Sequence, residues 1–188
     1  DYAFDQQCFQ RLFSALKNGM PDFRQLDALW EDRWEIREQS ARTAGPIVPL
    51  MGKSEESEGH AIAGNISTFN LLLGTPYMPC MFDGVYFLEY DKEEAHALPA
   101  IERMLQQLRL SGMFARTRGL VFGSLEAAVQ KEENDTDNLL RILQEKTDGY
   151  RFPVLTNATF GHNNPSWTII NGQKVGIRGT SIVGIEPV

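Results

Sequence analysis

The sequence has few cysteines, no basic cluster and no long apolar run, and each of these absences narrows the class of protein. No apolar stretch approaches the roughly 20 residues that a membrane-spanning helix needs. The 188 residues include two cysteines, Cys8 and Cys80, which cannot form a disulfide framework, so we expect a reducing, cytoplasmic environment. The net charge of −7 and the lack of a basic patch argue against binding to a phosphate backbone. We therefore expect neither a membrane nor a nucleic acid as a partner.

Histidines are also few, and their spacing is not that of a metal site. His60, His96 and His162 lie far apart, and no His-x-x-x-His or Cys-x-x-Cys pair accompanies them. His60 falls in a predicted strand beside a polar segment and His96 in an acidic stretch, so we interpret both as structural or solvated. We accordingly expect no metal and no cofactor.

Residues 58–188 have the alternating pattern of an α/β domain. Four short apolar segments are typical of strands: 59–64, 84–90, 119–123 and 152–157. Three segments between them predict helices: 65–73, 99–110 and 135–145. Such alternation predicts a parallel sheet with crossover helices. The pair Asn171-Gly172 predicts a hairpin turn and residues 181–186 a last strand, so we expect antiparallel strands at the end of the chain.

Residues 1–57 are less regular. Four apolar residues at helical spacing predict an amphipathic helix over about 5–18: Phe9, Leu12, Phe13 and Leu16. Residues 22–57 have no sustained period, and we expect only a short strand there, around 34–37. We interpret residues 1–57 as an interdomain linking segment with an N-terminal helix, and 58–188 as the following domain. Because the first residue is neither Met nor part of a targeting pattern, we expect this chain to be a piece of a longer protein.

Three polar residues lie near or after the ends of predicted strands, where the binding sites of open α/β sheets are found. Glu89 is near the end of the second strand, Ser124 follows the third, and His162 lies in the loop after the fourth. A carboxylate and an imidazole at two such strand ends could meet. Glu89 taken alone could equally be a strand end that reaches solvent. His162 lies in a loop of glycine, asparagine and proline, where a packing role on an apolar face is not expected.

A Glu–His pair acts in catalysis by activating a nucleophile. Ser124 sits at a strand-to-helix turn, but the following Leu125-Glu126 lacks the second glycine of the G-x-S-x-G elbow. Cys80 lies in a proline-bounded loop without a local sign of activation. A nucleophile inside this chain therefore remains the weaker hypothesis, and the residues indicate two members of a triad.

Several stretches, taken in order, resemble the C-terminal half of the LD-carboxypeptidase family of serine peptidases: EGHAIAGNISTFNLLLGTPYMP, GVYFLEYD, IERMLQQLRLSGMFARTRGLVFG and FPVLTNATFGHNNP. The resemblance covers residues 58–188. That family includes murein tetrapeptide carboxypeptidases and microcin C immunity-type hydrolases. The resemblance implies an α/β domain of the swivelling type, with three layers (β/β/α) that combine a parallel sheet with antiparallel hairpin strands.

The same resemblance implies a Ser-Glu-His triad that is assembled across two domains. Glu89 matches the family's glutamate, which orients the imidazole, and His162 matches its general base. The family's nucleophilic serine and oxyanion-hole amides belong to an N-terminal domain, so we expect this chain alone to be inactive and that domain to be its partner. Two positions depart from the family pattern: Ala63-Gly64-Asn65 stands for Gly-Gly-Asn, and Tyr90 stands where an aspartate is frequent.

The resemblance leaves two classes of substrate open. One is the amide between an L-configured centre and a terminal D-amino acid of murein peptides; the other is a peptidyl- or aminoacyl-nucleotide. Trp30 or Trp34 could stack on a nucleotide base, or could simply cover an interdomain surface, and Asn65 is a further candidate for substrate contact. A homodimer is compatible with the family. The alternative to an enzyme is a non-catalytic binding domain on the same scaffold.

Overall fold

A computed structural model describes residues 13–14, 17–18, 23, 28–31, 42–43, 45–78, 83–90, 97–124, 135–164 and 166–185. The strands in these ranges are β1 (Ala28–Glu31), β2 (Arg42–Thr43), β3 (Val48–Pro49), β4 (Glu56–Asn65), β5 (Gly84–Glu89), β6 (Thr117–Gly123), β7 (Val154–Ala158), β8 (Asn163–Asn164), β9 (Lys174–Arg178) and β10 (Ser181–Gly184). The helices are α1 (Ile66–Asn70), α2 (Ala97–Leu110) and α3 (Asp135–Lys146), with a 3-10 turn at Met113–Arg116.

Seven strands form one mixed sheet in the order β10-β9-β4-β5-β6-β7-β3. Strands β4, β5, β6 and β7 run parallel to one another, and the crossovers between them contain α1, α2 and α3 in turn. Strands β9 and β10 extend one side of the sheet in antiparallel pairs, and β3 pairs antiparallel with β7 on the other side. Strands β2, β1 and β8 form a separate small sheet. The predicted α/β class, with parallel and antiparallel strands, is confirmed.

The helices cover one face of the sheet. The apolar stripe predicted for α2 packs there: Ile101, Leu105 and Leu108 are fully buried. They lie in one cluster with Tyr86 and Leu88 of β5. Burial of a side chain of this size stabilises the fold by about 1.5–3 kcal/mol relative to exposure. This packing therefore holds β5, whose last residue is Glu89, at the centre of the domain.

On the opposite face the sheet curls over itself. A Cβ built on Gly119 of β6 would lie 2.6 Å from Cδ1 of Ile177 in β9, although β4 and β5 stand between these two strands in the sheet. Val85 and Phe87 of β5 belong to the second core cluster, together with Ile177. The antiparallel strands thus form a layer over the parallel ones, which gives the predicted β/β/α order of layers.

Helix α1 is shorter than predicted from the sequence. It ends at Asn70, and the residues up to Gly74 form turns in which the N–H of Leu71, Leu72 and Leu73 bonds the carbonyl three residues earlier. Such tightening is common in the last turn of a helix. Gly74 then adopts a φ of 78°, which is unfavourable for other residues.

The predicted hairpin at Asn171-Gly172 is wrong. The two residues do form a turn, and Gly172 has a φ of 88°, but its N–H bonds to Ala61 of β4 and the preceding residues 166–170 are not a strand. The observed hairpin joins β9 to β10 through Gly179, which has a φ of 60°. The Asn-Gly pair identifies a turn from local backbone preference, whereas pairing of the flanking segments depends on the rest of the sheet.

Residues before β4 contribute to both faces of this domain. Strand β3 joins the edge of the main sheet, and Phe23 lies in the second core cluster with its N–H bonded to the carbonyl of Ile182. Of the predicted helix over 5–18, residues 13–14 and 17–18 are helical and the others lie outside the described residues. The strand predicted around 34–37 also lies outside them. Across the described part of the chain, no helix is both long and apolar enough to cross a membrane.

Candidate active site

Glu89 is the last residue of β5, and its side chain is largely buried. Only 11% of that side chain is exposed. Strand alternation places it on the face of Val85 and Phe87, which belong to the second core cluster. A carboxylate in such surroundings requires hydrogen-bond donors, because burial of an unpaired charge is costly. Glu89 is therefore not a strand end that simply reaches solvent.

His162 provides a donor for this carboxylate. Its Nδ1 lies 2.8 Å from Oε2 of Glu89, while 43% of the imidazole side chain remains exposed. The contact joins two residues that are 73 positions apart in the sequence. It forms because the carboxyl ends of the parallel strands β5 and β7 lie at one edge of the sheet, as expected from their order. The expectation that this carboxylate and this imidazole meet is confirmed.

Two glycines make room for the carboxylate. A Cβ on Gly161, which has a φ of 91°, would lie 2.7 Å from both Cβ and Cγ of Glu89. A Cβ on Gly123, at the end of β6, would lie 3.0 Å from Cβ of Glu89 and 3.0 Å from the carbonyl oxygen of Phe160. Any side chain at Gly161 would therefore displace either the carboxylate or the turn that carries His162.

The geometry of the pair decides which nitrogen of the imidazole is available for chemistry. An ionised carboxylate accepts hydrogen bonds and cannot donate one, so the pair requires a proton on Nδ1 of His162. Neutral imidazole then presents Nε2 as an acceptor. With Nδ1 directed at a buried acid and the ring partly exposed, the arrangement can take a proton from a hydroxyl group placed at Nε2.

Asn65 ends β4 and lies beside Glu89 in the parallel ladder. Its Oδ1 accepts hydrogen bonds from the N–H groups of Ser67, at 2.9 Å, and Thr68, at 3.3 Å. Asn65 is thus the N-cap of α1. The capping role explains this asparagine without a ligand, and its position next to Glu89 also places it at the candidate site.

Of the two tryptophans proposed from the sequence, Trp30 is among the residues that the structure describes and Trp34 is not. Trp30 is part of β1, and its backbone pairs with Asn164 of β8, two residues after His162. Trp34 lies outside the described residues. The backbone of Trp30 is therefore held next to the loop that carries the candidate general base.

The other candidates from the sequence are less closely involved. Ser124 is buried, with 7% exposed, and its N–H bonds the carbonyl of Ala158. His60 is exposed near the middle of β4 and lies opposite Gly84, the first residue of β5, far along the strand from Glu89. Cys80 and His96 lie outside the described residues. Among the residues that the structure describes, no three His, Cys, Asp or Glu side chains could together hold a metal ion.

A cleft of about 360 Å³ lies at the amino ends of the parallel strands, near the first residues of β4, β6 and β7. Ser57, Thr117, Tyr150 and Pro153 are among the residues that line it. Because sites of parallel sheets form at the carboxyl ends of the strands, this position does not favour the cleft as the catalytic site.

Asn157 and Gly161 were not singled out from the sequence, although both shape the segment that leads to His162. Asn157 has a φ of 63°, and no other described residue except glycine has a positive φ. Asparagine tolerates this region better than most residues, but that tolerance does not reveal where a strand bends. Gly161, directly before the histidine, could have been recognised from the sequence as a position with a positive φ, because this conformation is a usual reason for glycine in a loop.

A mixed α/β sheet with a Glu–His pair at its carboxyl edge agrees with the class of hydrolase that the sequence motifs resemble. The profile of the LD-carboxypeptidase C-terminal domain matches residues 58–177, and the chain belongs to this family. The resemblance to these carboxypeptidases, which are serine peptidases, is thereby confirmed.

Individual relatives agree with this assignment. The chain is 28% identical over 128 residues to the microcin C7 self-immunity protein MccF of Escherichia coli, a match that covers 66% of this chain and 35% of that protein. It is 27% identical over 119 residues to a Bacillus subtilis (strain 168) protein named "Probable murein peptide carboxypeptidase", covering 63% of this chain and 36% of that protein. A solved structure of an MccF-like protein from Bacillus anthracis str. Ames matches with a TM-score of 0.81 and 25% identity, over 96% of this chain and 56% of that one.

The matched regions cover between 35% and 47% of the curated relatives, so the chain spans about half of their length or less.

Proposed function

We propose that this chain supplies the orienting carboxylate and the general base of a Ser-Glu-His triad that hydrolyses an amide bond of a peptide. Glu89 is the orienting residue and His162 is the base. The observation that carries the proposal is the 2.8 Å contact between Nδ1 of His162 and Oε2 of Glu89. The nucleophilic serine and the oxyanion-hole amides belong to an N-terminal domain of the same protein.

The reaction begins when Nε2 of His162 takes the proton of the serine hydroxyl, whose oxygen attacks the carbonyl carbon of the substrate amide. The carboxylate of Glu89 stabilises the imidazolium that forms, and the imidazolium then gives its proton to the leaving amine as the C–N bond breaks. The product of this half-reaction is an ester on the serine. Water, deprotonated by the same imidazole, attacks the ester, releases the carboxylic acid and restores the serine.

Two features support a nucleophile from outside this chain. The imidazole of His162 is 43% exposed and lies at the edge of the sheet, so a further domain can reach its Nε2. Ser124 is buried, and its sequence context lacks the second glycine of a nucleophile elbow. The length that the relatives have beyond the matched region is compatible with such a domain.

We propose two substrate classes, each with a supporting observation. An amide to a terminal D-amino acid of murein peptides is supported by the name of the Bacillus subtilis relative. For a peptidyl- or aminoacyl-nucleotide we propose Trp30 as the aromatic contact, and this is supported by its backbone pairing with Asn164, two residues after His162. Solved MccF-type structures similar in fold contain AMP or aspartyl sulfamoyl adenosine, which are ligands of those proteins.

The proposal is tested on the protein encoded by the whole reading frame that contains this chain. We expect a serine-directed covalent probe to label it, and His162→Ala to abolish both labelling and hydrolysis. His60→Ala is the matched control, because this histidine is exposed in β4 and far along the strand from Glu89. Hydrolysis of a murein tetrapeptide and of an aminoacyl-nucleotide amide, measured side by side, assigns the substrate class. Tight binding of either compound without labelling or hydrolysis would instead support a non-catalytic binding domain.

A further inference from the structure

The segment 157–164, which carries His162, starts at a bulge in strand β7. Between β6 and β7 the partners are Leu120 with Val154, Val121 with Leu155, and then Gly123 with Ala158. Strand β6 advances by two residues while β7 advances by three between the last two pairs. The extra residue falls where Asn157 has a φ of 63°. A bulge of this kind bends a strand and redirects the residues that follow it.

The bulge is followed at once by a tight turn. The carbonyl of Ala158 accepts the N–H of Ser124, at 2.8 Å, and also the N–H of Phe160, at 2.9 Å. The next residue is Gly161, whose position against Glu89 leaves no room for a Cβ. The redirected chain therefore passes directly over the carboxylate, and the imidazole of His162 reaches its Oε2 from there.

The conformation of Asn157 is held by residues that precede β4. Its side-chain Nδ2 donates a hydrogen bond to the carbonyl oxygen of Pro46 at 2.9 Å. Gly45 leaves space for the amide, since a Cβ there would lie 2.8 Å from Nδ2 of Asn157. The neighbouring strand β3 pairs with residues 155–156, immediately before the bulge.

The other end of the segment is held by the same part of the chain. Residues 163 and 164 form β8, which pairs with Glu31 and Trp30 of β1. His162 therefore lies between two anchors: the contact of Asn157 with Pro46, and the pairing of β8 with β1. Both anchors come from residues 1–57, the segment that the sequence suggested to be a connection between domains.

We propose that residues 28–31 and 45–49 position the imidazole of His162 against Glu89, with Asn157 and Gly161 as the positioning residues. A loop rich in glycine and asparagine samples many conformations unless its ends are fixed, and a catalytic group must be held within a fraction of an ångström to be effective. The anchors fix both ends of this loop. The inference rests on the proposed function only for its effect on turnover; the positioning itself is a property of this chain.

The test uses the 15N-labelled 188-residue chain and the proton on Nδ1 of His162, which NMR detects when a hydrogen bond slows its exchange with water. We expect Asn157→Gly, which keeps the backbone freedom but removes the amide contact, to speed this exchange about fivefold or more. Gly45→Ala should have the same effect, because its Cβ would push the Asn157 amide away from Pro46. Asn138→Gly is the matched control, since Asn138 is exposed on α3, and should leave the exchange unchanged.

The same variants in the whole protein give a second readout. Asn157→Gly should lower kcat at least several-fold while changing KM by less than about twofold, because it disturbs the base and not the binding of substrate. If both Asn157→Gly and Gly45→Ala leave the Nδ1 proton exchange as in the wild type, the positioning role is wrong, whatever the activity. If exchange is faster but His162→Ala remains active, the positioning stands and the proposed catalysis fails.

Discussion

Gly161 and Glu89 approach each other so closely that a single methyl group on Gly161 would overlap two carbon atoms of the glutamate, each at 2.7 Å. The overlap adds to the strain of a φ of 91°, which residues other than glycine avoid. Glu89 has little freedom to retreat, because its side chain is 11% exposed and a Cβ on Gly123 would also touch it. The absence of a side chain at Gly161 is thus a requirement of the Glu89–His162 pair.

We expect Gly161→Ala to lower the free energy of unfolding by about 2–4 kcal/mol, as the sum of backbone strain and overlap. Gly172→Ala is the matched control, because Gly172 has a φ of 88° with nothing within 4 Å of its Cβ position. The control should lose about 1–2 kcal/mol from strain alone. Urea denaturation of the 188-residue chain measures both. Equal losses for the two variants would show that the contact with Glu89 contributes nothing.

The curl of the sheet can be tested at Gly119, whose added Cβ would lie 2.6 Å from Cδ1 of Ile177 and 3.3 Å from Cγ1 of Val85. We expect Gly119→Ala to destabilise the fold by about 1–3 kcal/mol through overpacking. Ile177→Val removes the Cδ1 methyl itself and alone should cost about 0.5–1.5 kcal/mol. The double variant should lose clearly less free energy of unfolding than the sum of the two single losses. Additive losses would mean that β9 does not pack on β6 as described.

Helices α2 and α3 are joined by an ion pair in which Nζ of Lys146 lies 2.9 Å from Oε1 of Glu102. The hydrogen bond from Lys146 lowers the pKa of Glu102 from its ordinary value of 4.5. The folded carboxyl therefore holds its proton less tightly than the unfolded one, so its contribution to stability is present above pH 4.5 and is lost as the pH falls through the folded pKa.

We accordingly expect the stability of Lys146→Met to fall less steeply with acidification below pH 4.5 than that of the wild type, in denaturation curves at several pH values. Arg178→Met provides the control, because Arg178 forms an exposed pair with Glu58 at 3.5 Å, away from Glu102, and such pairs contribute little. If the free energy of unfolding fell equally steeply with acidification in the wild type and in Lys146→Met, this interpretation of the pair would be contradicted.

Asn65 has both a capping role and a proposed contact with substrate, and serine can separate the two. Serine caps a helix about as well as asparagine, so Asn65→Ser should keep the free energy of unfolding within about 0.5 kcal/mol, whereas Asn65→Ala should lose about 0.5–2 kcal/mol. If the amide contacts substrate, the whole protein with Asn65→Ser will have a raised KM despite its normal stability. A normal KM in that variant would leave Asn65 with its capping role alone.

Much of the domain could be predicted from sequence because its parallel strands are short, strongly apolar and separated by helices with clear periodicity. The meeting of Glu89 and His162 followed from the rule that parallel strands share a carboxyl edge. The bulge at Asn157 and the pairing of two-residue strands such as β3 have no local pattern, because they depend on neighbours distant in the sequence. The turn at Asn171-Gly172 was recognised, but its hairpin was not formed because residues 166–170 cover the sheet instead of pairing with β9.

The most direct test of the catalytic role of Glu89 and His162 is a double-mutant cycle on kcat/KM in the whole protein. We expect His162→Ala to lower kcat/KM about 10⁴-fold or more and Glu89→Gln about 10³–10⁴-fold, because the carboxylate acts through the imidazole. The double variant should be no more than about tenfold worse than His162→Ala alone, since the residues act as one unit. Multiplicative losses, or either single variant with full activity, would contradict this assignment.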